Sequence, residues 1–307
     1  MEERKHSYGG QAVIEGVMIR GQSHVSIAVR RPDRSIASRC NPAGYMFTGR
    51  LRRVPLIRGI LVLAETLTIG MRALNYSASI ARGIEDEDLS NGAMASSIAF
   101  ALAFAVGLFF IVPAIVSMLL DDLTDSWLVR NAVEGLIRLL LFLGYIWLIS
   151  RVRDIRRVFM YHGAEHMTVH ATEHGNPLTI ENVRQYPTAH PRCGTAFLLT
   201  VIVLSIVAFL FVSREPVWWL FASRVLLIPV IAAVSYEVIR LSGRYSTSPL
   251  VKLITWPNLA LQSLTTKQPD DDQIEIAIVA MQNAVAADER SRPVSEVAQA
   301  DFLGESS

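Results

Sequence analysis

The chain has 307 residues, of which 51% are hydrophobic and only 19% charged, with a mean hydropathy of +0.34; this is too apolar for an ordinary water-soluble domain and places the chain in lipid. A balance of 29 basic against 28 acidic residues leaves a net charge of +1, which excludes a global field for recruiting nucleic acid. Two cysteines, Cys40 and Cys193, exclude a disulfide framework, and neither is expected to be crosslinked.

Residues 11–40 alternate, with Val25, Ile27 and Val29 on one face and a turn at Pro32, Asp33 and Arg34, which predicts a short antiparallel meander. Gly9, Gly10, Gly16 and Gly21 punctuate it. Glu15, between Ile14 and Gly16, is expected as an exposed edge residue, with an inward ligand or ion-pair role as the alternative. Residues 55–81 form an apolar helical stretch broken by Arg58, Glu65 and Arg72. Charges about every seven residues give one wet stripe, so this helix is expected in the membrane interface, with a re-entrant or embedded helix as the alternative.

Four membrane spans are expected. Residues 89–120 carry no charge, and 98–120, at about 1.5 Å per residue, are long enough for a hydrocarbon core of roughly 30 Å. The second span, 133–150, has Arg138 near its outer end, where a long side chain snorkels to the headgroups. The third, 193–213, is uncharged and closed by Arg214, Glu215 and Pro216. The fourth, 217–236, opens with Trp218 and Trp219 as an interfacial belt and has Pro229 as a kink. It also carries Arg224, whose burial demands water or a partner such as Asp121 or Asp122.

Cationic flanks stay inside the cell. Arg20, Arg30, Arg31, Arg34, Arg39, Arg50, Arg52 and Arg53 precede the first span, whereas the loop 121–134 has Arg130 as its only cation. Arg151, Arg153, Arg156 and Arg157 open the loop 151–192, and Arg240, Arg244 and Lys252 follow the last span. The expectation is a multi-pass cell-membrane protein with both termini and the 151–192 loop cytoplasmic. With no apolar run near Met1, the first span is expected to act as the targeting signal. Asp270, Asp271 and Asp272 open a C-terminal helix with Ile274, Ile278, Met281 and Val285 at helical spacing, and from 288 onwards the period fades into an expected disordered tail. The fold class is mainly α: a polytopic membrane protein of about four transmembrane helices, with a small N-terminal cytoplasmic β meander and cytoplasmic amphipathic helices. The segments are 1–53, 54–96, 97–241, 242–287 and 288–307.

The loop 151–192 holds the chemistry. Tyr161-His162-Gly163-Ala164-Glu165-His166 contains H-x-x-E-H, which sets His162 and His166 one helical turn apart on one face with Glu165 beside them. Inverzincin metallopeptidases use that order, the histidines binding zinc and the glutamate activating the metal-bound water. His170, Glu173 and His174 follow, Gly175-Asn176-Pro177 ends the helix, and His190-Pro191-Arg192-Cys193 offers an H-x-x-C pair. Eight residues, about 12 Å of helix, separate His162 from His170, too far for both to reach one ion. A third ligand is therefore expected from His190, Cys193 or Glu237, with Glu173 as a ligand or as a group orienting a ligand imidazole. The metal is a divalent cation, zinc by this donor set. The competing reading is a solvated juxtamembrane face, with Cys193 a small apolar residue at a helix start.

Several separated motifs occur in order: Gly9-Gly10-Gln11-Ala12-Val13-Ile14-Glu15-Gly16-Val17-Met18-Ile19-Arg20-Gly21, the 162–166 block, His190-Pro191-Arg192-Cys193-Gly194-Thr195, Ser235-Tyr236-Glu237 and the stretch 264–280. Together they resemble a bacterial membrane family catalogued as domain of unknown function 1385 and often labelled a predicted metal-dependent enzyme. The resemblance spans about residues 9–281. It implies metal-dependent activity and no particular substrate. Where the family pattern places a Lys after the second His and a Tyr before the Glu, this chain has Met167 and Thr172. The leading expectation is a membrane-embedded metal-dependent hydrolase with Glu165 as general base, meeting a membrane protein or a lipid-like substrate at the cytoplasmic face of the bilayer. A non-enzymatic assembly or scaffold protein with a structural metal is the alternative. A solute carrier is the third, weakened by the lack of an internal repeat.

Overall fold

The computed structural model describes residues 8–43, 54–84, 90–119, 125–191, 193–245 and 248–291. Strands β1 (Gly9–Val13), β2 (Gly16–Arg20), β3 (His24–Arg30) and β4 (Ile36–Pro42) form the expected meander, antiparallel in the order β1-β2-β3-β4. Pairing Val17 with Ala28 and Met18 with Ile27 fixes the register. Alternation then sorts the side chains onto two faces. Val17, Ile19 and Ala28 share one core with helices α5 (Arg153–Glu173) and α11 (Asp271–Arg290); Met18, Val25, Ile27 and Val29 share another with Ala73, Tyr76 and Ile80 of helix α1 (Ile57–Ala81). The sheet is thus sandwiched, which explains why β2 and β3 are buried on both faces.

The charges of α1 do not form one wet stripe. Glu65, 1% exposed, pairs with Arg20 of the sheet, and Arg58 pairs with Glu237; only Arg72 faces outward. The helix is held between the sheet and helix α9 (Ile228–Arg244). Glu15 is likewise not an edge residue facing solvent. It sits at positive φ in the β1–β2 turn, where its carboxylate accepts from the Arg157 guanidinium and, at 3.3 Å, from the Tyr161 hydroxyl. The hairpin is thereby tied to α5.

Among the described residues, three helices are long and apolar enough to cross a membrane: Gly92–Met118, Trp127–Ile149 and Val217–Gly243. The first joins α2 (Asn91–Val106) to α3 (Val112–Met118) through a π turn at Gly107–Ile111, the second is α4 (Trp127–Ile149), and the third joins α8 (Val217–Leu226) to α9. The break between α8 and α9 falls at Leu227, with Pro229 in the first turn of α9 as its cause. The fourth expected span is the shorter α7 (Thr195–Leu210), whose 16 residues reach about 24 Å. It packs against α4, α9 and α10 (Pro249–Thr265).

Arg138 does not snorkel, and Arg224 does not reach water; both are fully buried, and among the described residues the carboxylate they share is Glu134. The Glu134 carboxylate accepts from Arg138 Nη2 at 2.7 Å, Arg214 Nη1 at 2.9 Å, and Arg224 Nε and Nη2 at 2.9 and 2.6 Å. Pro113 has no N–H to offer the Phe109 carbonyl one turn back, and Arg138 Nε donates to that oxygen at 2.9 Å. Asn131, Ser117 and Ser223 accept further guanidinium N–H groups, and the Phe209 ring faces both Arg138 and Arg224. Asp121 and Asp122 lie outside the described residues.

At the chain's other end, α11 begins with a capping box of Asp270 and Gln273. It is regular to Arg290, so residue 288 is not the start of a tail. Asp288 instead accepts from Gln22 N, Ser23 N and the Ser23 hydroxyl at 2.7–2.9 Å, closing the β2–β3 turn.

Candidate metal centre

Helix α5 turns Tyr161, Ala164, Met167 and Ala171 into the core under the sheet, which leaves His162, His166, His170 and His174 as a stripe at four-residue spacing. Gly175, at φ 71°, ends the helix, with Asn176 N donating to Ala171 O and Gly175 N to Thr172 O. The chain then returns across the stripe through α6 (Ile180–Arg184). Three backbone carbonyls meet three imidazoles: His166 Nδ1 donates to Thr188 O at 2.7 Å, His170 Nε2 to Ala189 O at 3.0 Å, and His162 Nδ1 to Thr265 O at 2.9 Å. A carbonyl only accepts, so each contact fixes a tautomer and leaves the other ring nitrogen with its lone pair. The segment after α10 crosses α5 at Gly163, where any Cβ would collide with the Lys267 carbonyl. The Gln262 side chain exchanges two hydrogen bonds, 2.8 and 2.9 Å, with the backbone of His190.

Among the described residues, five of the six expected ligands fall into two groups, the second completed by His170. His162, His166 and Cys193 have donor atoms within 4.8 Å of one another, and so do His170, Glu173 and His190. In the first group, His162 Nε2 lies 3.2 Å from Cys193 Sγ, and the two imidazole centroids are 4.4 Å apart. Tetrahedral zinc with bonds of about 2.0–2.3 Å places its ligand atoms roughly 3.3–3.6 Å from one another; the His162–Cys193 pair stands near that separation, and the donor types suit such an ion. Cys193 stands just before α7, and the Thr195 N–H donates to its sulfur at 3.4 Å, with the Thr195 hydroxyl 3.1 Å away. In the second group, His190 Nε2 is 3.4 Å from Glu173 Oε2, and the His170 and His190 rings are 4.5 Å apart.

Glu165 is 4% exposed, with Oε2 3.5 Å from His166 Nε2. Burial pushes its carboxyl above the ordinary value, against the pull of His162 and His190 and of a hydrogen bond from the Gly10 N–H. Only glycine fits at Gly10, because a Cβ there would stand 2.6 Å from Glu165 Cγ. Burial also pulls the His166 imidazole below its ordinary value, more than the Cys193 contact restores. The structure does not bring Glu237 to this cluster: its carboxylate accepts from Arg58 Nε at 2.7 Å and from Leu56 N at 3.3 Å. His174 folds back, its Nδ1 donating to His170 O, and Arg192 lies outside the described residues. Sequence reasoning missed Gly10, Gly163 and Gln262, which hold the site without being ligands; the paired glycines of the first motif were the available signal. A cavity of about 480 Å³ lined by Met118, Trp127, Arg130, Phe211 and Arg214 lies at the far end of α4 and borders none of these residues.

Fold and site together define a helical membrane protein whose sheet-and-helix module encloses a histidine, cysteine and glutamate cluster. The chain belongs to the family described as protein of unknown function DUF1385, whose model matches residues 54–287. It is 35% identical over 290 residues to uncharacterized protein YqhQ of Bacillus subtilis (strain 168), covering 89% of this chain and 90% of that one. No solved structure matches it.

Proposed function

We propose that the protein is a membrane-embedded metal-dependent enzyme, a hydrolase at the cytoplasmic membrane face, in which His162, His166 and Cys193 hold zinc and Glu165 is the general base. The observation that carries this is convergence on one point of two imidazoles, each fixed by a backbone carbonyl, one thiol and one buried carboxylate. A divalent ion held by such a set supplies Lewis acidity and a bound water of lowered pKa. Glu165, held by the Gly10 N–H, would act as general base, holding a proton on Oε2. The sheet above it excludes bulk solvent. His162 lies nine residues, about 14 Å, into a helix that begins three residues after α4. A substrate held in the bilayer surface, a membrane protein or a lipid-like molecule, is therefore within reach. Arg151, Arg153 and Arg156 at this junction support a cytoplasmic placement of the site and of both termini.

One observation favours the scaffold reading: His166, Glu165 and Cys193 are only 3%, 4% and 7% exposed. An enzyme needs an open coordination position, whereas a structural site is closed. Cobalt-substituted protein separates the two. Its absorption spectrum is expected to change on adding azide, an exogenous ligand; a spectrum indifferent to azide, with metal bound, would replace the enzyme by a scaffold with a structural metal.

A further inference from the structure

The second group of donors has no part in that reading, and it is built with equal care. His170 continues the four-residue stripe two turns beyond His162, out of reach of the first ion. Its Nε2 is committed to Ala189 O, so the lone pair sits on Nδ1. Its ring stacks on Tyr186, centroids 5.9 Å apart and planes 8° from parallel. His190 is pinned from behind by the two hydrogen bonds of Gln262. Glu173, one turn below His170 on the same helix, brings a carboxylate to 3.4 Å from His190 Nε2 and keeps 20% of its side chain exposed. Solvent therefore reaches this group from the Glu173 side.

We infer that His170, Glu173 and His190 bind a second divalent cation beside the first. A hydrogen bond between His190 and Glu173 alone would not need His170 within 4.8 Å of both, its ring fixed by a carbonyl and an aromatic face. Two imidazoles and one carboxylate form a borderline donor set for zinc, manganese or iron, and the absence of sulfur gives it a preference different from that of the thiol-bearing site. The His166 and His190 rings stand 5.7 Å apart, so the two sites are neighbours, and Glu165 is under the electrostatic influence of His162 in one and His190 in the other. Paired cations of this kind clamp the attacking and leaving oxygens of a displacement. That co-catalytic role rests on the enzyme reading above, whereas binding of the ion does not.

The test is metal stoichiometry with cobalt as the probe, on full-length protein in detergent, because a thiolate ligand marks the first site by its charge-transfer absorption. Wild type is expected to bind two equivalents. Glu173→Gln, isosteric and partly exposed, should lose one equivalent and keep the thiolate band; Cys193→Ser should lose the band and keep one equivalent. If Glu173→Gln does not fold, His170→Gln reads the same site. One equivalent in wild type, with the thiolate band and indifferent to Glu173→Gln, overturns the second site and leaves the first standing. One equivalent without the band, lost in Glu173→Gln, upholds the second site and removes the first. No bound cobalt refutes both.

Discussion

Replacing Glu134 by Gln removes the only carboxylate that the described residues place among Arg138, Arg214 and Arg224. Four guanidinium N–H groups converge on its two oxygens, at 2.6–2.9 Å. Hydrogen bonds to charged groups contribute about 1.5–3 kcal/mol each. Glutamine keeps one oxygen, so roughly half of the contacts survive, while its amide N–H groups face donors on the other side. Breaking a buried ion pair on one side alone costs about 3–5 kcal/mol, and the two routes agree on a loss near 4 kcal/mol. The assay is reversible unfolding of the detergent-purified protein, followed by loss of helical signal, with Glu237→Gln as the comparison. The partly exposed Glu237–Arg58 pair should cost far less. A Glu134→Gln protein as stable as wild type would refute the claim that this carboxylate holds the three cations in the bundle.

Other outcomes follow from particular contacts. Gly10→Ala should destabilise by about 1–3 kcal/mol, because the new methyl meets Glu165 and the Met18 carbonyl, whereas Gly9→Ala, with nothing within 4 Å, should be neutral in the same thermal scan. Asp288→Ala should cost about 1–3 kcal/mol at neutral pH by orphaning the β2–β3 turn. Burial pushes that carboxyl up, but the Ser23 and Gln22 hydrogen bonds outweigh it and hold it below 3.8. Its stabilisation is thus full above the unfolded value and lost as pH falls through the folded one, so wild type and variant should converge in acid. A thiol introduced at Asn176 should stay unlabelled by an impermeant reagent in intact cells while one at Asp125 reacts; the reverse would invert the orientation.

Local periodicity made the scaffold legible. The alternation of Val25, Ile27 and Val29 gave the meander, and Ile274, Ile278 and Met281 gave one face of α11. Ile276 and Ala280 are also fully buried, because the sheet and α5 enclose that helix more widely than one amphipathic stripe implies. The spacing of His162, Glu165 and His166 is a property of one helix and could be read directly. Division into two groups could not, since it depends on the return of Ala189 and His190 and on the crossing of Thr265, which are tertiary. The charged residues were misread for the same reason: Arg224 and its partner Glu134 are 90 positions apart, and Arg58 and Glu237 are 179 apart. Sequence offered Glu237 as a third ligand but had no means of seeing Arg58 take it.

The central claim is that His162, His166 and Cys193 hold a metal ion. X-ray absorption at the metal edge of protein purified without added chelator tests it most directly. The account predicts zinc with one sulfur scatterer near 2.3 Å and imidazole nitrogens near 2.0–2.1 Å, the sulfur signal vanishing in Cys193→Ser. Protein that carries no metal, or metal whose shell lacks sulfur in wild type, would contradict it.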